Sequence, residues 1–396
     1  MKSSRKVNFL YTNIGRGHPF YLDGIIEAIA HQGKINIIRS QLDVFEISRG
    51  IPRLGWQLIK KLYKHGSTDN FVGHIYNKLR LNTDYNKQSK IIKIIGKNIR
   101  QKYLNDSHPL VVAHPLLVAI LKDKKNLFYQ HGEVIAPSEA VVEGAQTIFV
   151  PTKETAVPFY EKGYNKDNII ITKLCVEPSL VKQAKDSFSQ RIKRLQANQS
   201  LTGAFFSSGA EPKPHVEKIL LSAKSVISSG GRAIIFAQNG KSFWKAAVKT
   251  FKKAPYPIHI IDSTDYIPHQ LPTVLVIGYN SRREENIFTA QFFKYFDYLV
   301  APSHERTNWA LGLGLPMFIP TPPIGSFAPL NQKTLLNHHV AKLIKSKQEA
   351  MNFNVLLSSL QKSGELIQMA QAGWHKYDIN GFNNIANFLI EKCIHK

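Results

Sequence analysis

Short apolar runs alternate with amphipathic helical stretches along almost all of this 396-residue sequence, and no other feature limits its fold as tightly. Strand-like segments fall near 6–12, 35–40 and 110–113, then at LFYQH, TIFVP and IIITKL. Helices are expected near 19–32, through a basic region near 52–104, and through KETAVPFYEKG. A second series begins at LTGAFFSSG and continues through a helix at 212–229, RAIIFAQ, a helix at 242–253, IHIID, TVLVIGY, a helix at 287–296, DYLVAP, a helix at 305–313 and LPMFIP. Strands spaced by helices predict parallel sheets covered on both faces. Two series imply an α/β chain of two doubly wound, Rossmann-like domains at 1–180 and 201–375, with the polar stretch 181–200 as a hinge and a C-terminal helix at 376–396 packing back on the first domain.

Ligands of such sheets sit beyond the carboxyl ends of the strands, so the loops 13–18, 207–211 and 303–308 are the first places to look for chemistry. The first reads Gly15-Arg16-Gly17-His18-Pro19-Phe20. A dinucleotide fingerprint needs a third glycine where Phe20 stands, and an acidic residue about twenty positions on, which is missing. Pro19 suits the first turn of a helix, and the turn can present His18, whose pKa range fits a proton acceptor. A hydrogen-bonded structural histidine is the plainer alternative.

Charge narrows the partners. The 52 Lys and Arg against 28 Asp and Glu give +24, a field that favours polyanions or anionic lipid. It is densest between Arg53 and Tyr103, where Arg53, Lys60, Lys61, Lys64, Lys78, Arg80, Lys87, Lys90, Lys93, Lys97, Arg100 and Lys102 face only Asp69 and Asp84. IPRLGWQLIKKLYKH interleaves these bases with Ile51, Leu54, Trp56, Leu58, Ile59, Leu62 and Tyr63, as does KIIKIIGKNI, which fits either a surface resting on anionic headgroups or a helix burying its apolar side in the domain. Common nucleic-acid motifs are missing, so nucleic acid is not an expected partner. Cys175 and Cys393 are too few for a disulfide framework or a four-cysteine zinc site, and no metal signature is visible. PLVVAHPLLVAIL falls short of the ~20 residues that span a bilayer, and the N-terminal segment lacks a signal peptide's apolar core. The expectation is a cytoplasmic protein, peripheral on the inner face of the membrane.

The order of these segments resembles a family. Gly-x-Gly-His after the first strand, a long basic helical insertion before PLVVAHPLLVAIL, GYNKDNIIITKLCVEPSLV ahead of the hinge, and FDYLVAPSHERTNWALGLGLPMFIPTPP followed by NQKTLLN are similar to the GT-B glycosyltransferases that include the lipid II N-acetylglucosaminyltransferase and the diacylglycerol (monogalactosyldiacylglycerol synthase-like) glycosyltransferases. That resemblance implies two domains facing across a cleft and an inverting hexosyltransferase at the membrane surface. It would move sugar from a nucleotide-sugar, a UDP-sugar above all, to a lipid or lipid-linked acceptor. The nucleotide-sugar is a substrate, and no cofactor or metal is implied.

Residue by residue, Gly17 and His18 match the motif at the cleft mouth, with His18 as base or acceptor-positioning group. Ser207, Ser208 and Gly209 follow a strand where backbone N–H groups can hold a diphosphate. Ser303, Glu305, Thr307 and Asn308 match the loop and helix start that contact diphosphate and ribose, Gln332 the polar residue near the sugar, and Asn337 the usual downstream Asn. Arg282 and Arg283, in NSRREEN after a strand, suit a phosphate or are part of a solvated charge run. The pattern departs twice. The ribose-gripping glutamate should fall near Trp309, leaving Glu305 or Asn308 to replace it, the donor to be recognised otherwise, or donor use to be lost. After LFYQ the expected acid gives way to His131 and Glu133, which makes Glu133 a second base candidate. Two other functions fit the same residues: a GT-B enzyme using a soluble acceptor or epimerising a nucleotide-sugar, and a non-catalytic polyanion- or lipid-binding protein on a GT-B scaffold.

Overall fold

The computed structural model describes residues 6–66, 84–87, 89–252, 256–265 and 270–394. The chain divides into two compact units. The first comprises residues 1–178, 325–327 and 378–396, and the second residues 179–324 and 328–377.

In the first unit six parallel strands lie in the order β2-β1-β3-β4-β5-β6: β1 (Val7–Tyr11), β2 (Ile38–Asp43), β3 (Leu110–Val112), β4 (Leu127–Gln130), β5 (Thr147–Val150) and β6 (Ile169–Ile171). Alternate side chains of β1 enter different cores, as the strand's two-residue period requires. Val7, Phe9 and Tyr11 join Phe20, Ile25 and Ile29 of α1 (Gly17–His31), while Leu10 packs with Val112, Leu117 and Tyr129. β2 starts three residues later than the sequence reading, because Ile35–Ile37 forms a 3-10 turn first.

The basic region resolves into α2 (Val44–Ile47), α3 (Gly50–Gly66), α4 (Lys90–Ile95) and α5 (Lys97–Tyr103). Lys78 and Arg80 lie outside the described residues, as does the Lys64 side chain. Arg100 is held internally, donating to the Ile120 carbonyl at 2.8 Å and to Asp123 at 2.9 Å. α6 (Pro115–Ile120) and α7 (Lys153–Glu161) complete the helices between strands. The last helix, Gly381–Ile394, packs on α1 so closely that Gly24 touches the Phe382 ring: a Cβ there would stand 2.2 Å from it.

Residues 181–200, expected as a hinge, lie mostly in one continuous helix, α8 (Pro178–Gln196), which is anchored in the second unit. Buried Arg191 donates from Nε to the Phe296 carbonyl and from Nη1 to those of Leu313 and Gly314, each at 2.9 Å. Phe188 stacks on Trp374 at 4.3 Å, and Arg194 pairs with buried Asp297 at 2.7 Å.

The second unit carries seven parallel strands in the order β13-β12-β11-β7-β8-β10-β9: β7 (Thr202–Phe206), β8 (Arg232–Gln238), β9 (Ile258–Ile261), β10 (Val274–Tyr279), β11 (Tyr298–Val300), β12 (Met317–Pro320) and β13 (Ala341–Ile344). Between them run α9 (Lys213–Ser228), α10 (Ser242–Lys252), α11 (Arg282–Phe292), α12 (Thr307–Gly312) and α13 (Ala328–Asn337). In each sheet the winding reverses once, beside β1 where β3 joins it, and beside β7 where β11 joins it. The loops that follow those strands are where such folds open a crevice.

Candidate functional site

At the first reversal the turn after β1 is built for a left-handed residue: Gly15 has φ 77°. The Asn13 N–H donates to Asp43 Oδ2 at 2.9 Å, tying the turn to the end of β2, and burial raises the Asp43 pKa. α1 then starts at Gly17 with no acidic residue in its first turn and no side-chain cap. Glu133 comes to it from the loop after β4, so close that a Cβ on Gly17 would stand 3.6 Å from Glu133 Oε1. A carboxylate at a helix N-terminus is favoured by the helix dipole. His18, half-buried, meets the ring of His114 at 4.4 Å between centroids. The structure therefore brings together the three predicted residues Gly17, His18 and Glu133 and adds His114, which sequence reasoning treated only as an interruption of an apolar run.

His131, the other residue standing where an acid was expected, is structural. Its Nε2–H donates to the Ile135 carbonyl at 2.8 Å, and burial pushes its pKa down to about 4, so the ring is neutral.

At the second reversal Val300 pairs with Phe205, so the loops after β7 and β11 leave the sheet side by side. Ser207, Ser208 and Gly209 form the first, ahead of α9, whose first turn carries no acid. Ser303 and residues 305–308 form the second with the start of α12. Among the described residues, Ser207 Oγ and Thr307 Oγ1 in these segments, and Gln332 Oε1 in α13, are buried with no hydrogen-bond partner. Buried polar atoms are normally satisfied, although core hydroxyls such as those of Ser222 and Tyr298 share this condition. Asn308 is buried in the first turn of α12, and Asn337 ends α13.

Two predicted donor contacts are otherwise engaged. Ser303 Oγ donates to the Ala328 carbonyl at 2.9 Å, while the Ser303 carbonyl accepts from Asn331 at 3.1 Å. Glu305 is buried in an ion pair with Arg306 at 3.1 Å, and Arg306 also pairs with buried Glu285 of α11. Glu305 thus serves a buried cation, and Trp309 at the expected glutamate position is a core residue, 5.7 Å from Phe206 and 5.9 Å from Phe293. Arg282 is not in an open loop but in the first turn of α11, capped by Ser281, whose Oγ accepts from the Glu284 N–H. The Ser281-x-x-Glu284 spacing is a capping-box signal that marked this helix start in the sequence. Three residues after Arg282, on the same helical face, Glu285 reaches Arg306, which brings the start of α11 near the loop before Thr307. Among the described residues no His, Cys, Asp and Glu group could hold a metal ion.

No protein-family model and no curated protein matches this chain. Solved structures do. The UDP-GlcNAc 2-epimerase of Neisseria meningitidis, bound to UDP-GlcNAc, gives a TM-score of 0.57 at 14% identity, covering 99% of this chain and 100% of that one. S. aureus MnaA with UDP gives 0.55 at 10% identity over 98% and 96% of the two chains. The Methanocaldococcus jannaschii UDP-GlcNAc 2-epimerase, with UDP-GlcNAc and UDP, gives 0.51 at 12% identity over 97% and 99%. At such identities the likeness is one of fold, and with two parallel-sheet α/β domains of six and seven strands this chain has the GT-B fold.

Proposed function

We propose that this chain is a nucleotide-sugar enzyme that transfers a sugar from a UDP-sugar to a lipid or lipid-linked acceptor at an anionic membrane surface, within the range of the lipid-directed GT-B glycosyltransferases. In this reading the Ser207 and Thr307 loops hold the donor, and His18 is the base. The acceptor hydroxyl attacks the anomeric carbon, its proton passes to His18, and the bond from that carbon to the diphosphate oxygen breaks with inversion. Glu133 stabilises the imidazolium that forms. UDP is the favoured donor base because it is the nucleotide named with the solved structures of like fold.

One observation carries the lipid acceptor. Ile51, Leu54, Leu58 and Leu62 recur at helical spacing along α3, and Ile91 and Ile94 do so on α4; all six are between 44% and 70% exposed. Trp56 is fully buried on another side of α3, and exposed Arg53, Lys60, Lys61, Lys90, Lys93 and Lys97 flank the apolar residues. A helix that only packed on its domain would turn the leucines inward. An exposed apolar stripe edged with bases matches an anionic bilayer, each base near the surface adding about 1 kcal/mol. Among the described residues no helix is long and apolar enough to cross a membrane.

The second reading, a nucleotide-sugar epimerase, draws on the fold neighbours above. Calorimetry with UDP, GDP, CDP and dTDP, paired with sedimentation on phosphatidylcholine vesicles with and without phosphatidylglycerol, separates the possibilities. UDP binding together with salt-sensitive binding to anionic vesicles, the latter lost in Leu54→Glu/Leu58→Glu, supports transfer to lipid. UDP binding without vesicle binding favours the epimerase or a soluble acceptor. Binding to vesicles and RNA without any nucleotide would leave a polyanion-binding scaffold.

A further inference from the structure

The contact between His18 and His114 extends the proposed base into a pair. β1 and β3 are neighbours at the reversal of the first sheet, and each delivers one histidine to its carboxyl end. His114 is rigidly placed. Its backbone is extended, Pro115 follows it as the first residue of α6, and its Nδ1 accepts the Leu116 N–H at 3.1 Å, capping that helix. The ring cannot turn without uncapping α6. With the Nδ1 lone pair engaged, its proton sits on Nε2 and the ring is neutral. Against this fixed face His18 rests at 4.4 Å and 50°.

We propose that His114 is a positioning residue: its ring holds the His18 ring in one orientation and shields one side of it from water, while remaining uncharged as His18 takes up a proton. The proposal rests on the reading of His18 as the base. Protonating His114 would cost the Leu116 cap, so the pair carries one positive charge rather than two. Charged groups near this turn include the Glu133 carboxylate at the start of α1, Arg16 just before it, whose guanidinium lies 5.5 Å from the Phe20 ring, and Asp43, bonded to the Asn13 N–H. The contribution of His114 is therefore read by changing that ring alone.

Two variants do this. His114→Asn keeps a side-chain oxygen to cap α6 and removes the ring, whereas His114→Phe keeps a ring and removes the cap acceptor. The full-length protein carrying 13Cε1-labelled histidine is titrated by NMR, the His18 resonance being assigned by its loss in His18→Gln, alongside thermal melting. In His114→Asn the melting temperature is expected to stay within a few degrees while the His18 titration midpoint moves upward, as water replaces the ring. His114→Phe is expected to leave that midpoint near the wild-type value and to lower the melting temperature. If sugar transfer is established, His114→Asn lowers kcat roughly tenfold with KM little changed, as for a misplaced base. A His18 titration in His114→Asn that superimposes on wild type overturns the proposal and leaves His114 as a helix cap. Because the titration is read without nucleotide, a failure to bind UDP sinks the functional reading separately.

Discussion

The guanidinium of Arg306 lies 3.9 Å from the centroid of the Phe206 ring, stacking the first buried turn after β11 on the last residue of β7. Its charge is met by Glu305 and Glu285, both buried. Replacing Arg306 with Met leaves two carboxylates without their cation and is expected to destabilise the second unit by about 3–5 kcal/mol. Changing all three residues to apolar side chains of similar size should recover most of that loss. Urea denaturation of the single and triple variants checks both statements; a single variant as stable as wild type would show that the ion pairs are dispensable.

Thr307 gives the opposite prediction, since its buried hydroxyl has no hydrogen-bond partner among the described residues. Thr307→Val keeps the shape and removes the oxygen, so stability should hold or rise by up to about 1 kcal/mol. A hydrogen bond to a charged diphosphate is worth about 1.5–3 kcal/mol, so under the proposed donor site UDP affinity should fall roughly tenfold or more. Calorimetry on the variant reads this directly, and an unchanged Kd would remove Thr307 from the donor site.

The close approach of α1 to the last helix should be intolerant of one methyl group. Gly24→Ala places a Cβ against the Phe382 ring with no space for it, and is expected to cost about 1–3 kcal/mol through separation of the two helices. Combining it with Phe382→Leu should restore part of the melting temperature. No rescue would point to helix backbone effects at Gly24 instead.

His131 predicts an acid-side loss of stability. Its folded pKa of about 4 lies below the ordinary value of 6.5, so the unfolded chain takes up a proton that the folded chain refuses. The contribution is complete above pH 6.5 and is lost as pH falls towards 4, reaching about 3 kcal/mol there. His131→Asn should flatten the dependence of the urea midpoint on pH across that window. An equally steep dependence in the variant would assign the slope to other groups.

Trp309 and Glu305 show how far motif matching reached. The sequence placed both on the loop and helix after β11, and it showed that the resembled family's glutamate was missing. That Glu305 neutralises Arg306 rather than standing ready for a ribose could not be read there, because its reason is Glu285 on another helix and the Phe206 ring on another strand. His114 is a similar case: in the sequence it interrupts PLVVAHPLLVAIL, and only the pairing of β1 with β3 sets it against His18.

The amphipathic α3 drew two readings from the same letters. Its period fixes which residues share a face, but Ile51, Leu54, Leu58 and Leu62 could equally have lined a core. Which side is covered is a matter of packing, which buries Trp56 and leaves Ile51, Leu54, Leu58 and Leu62 exposed.

By itself the sequence determined the two βα series, the parallel sheets and the turns at Gly15 and Ser207, because apolar periodicity and glycine placement act over a few residues and need no partner from afar. The tertiary structure decided the order of the strands, the pairing of His18 with His114, the burial of Arg306 between two glutamates, and the anchoring of α8 in the second unit. Those depend on which strands lie side by side, and on charges and rings brought together from distant parts of the chain, which local patterning does not encode.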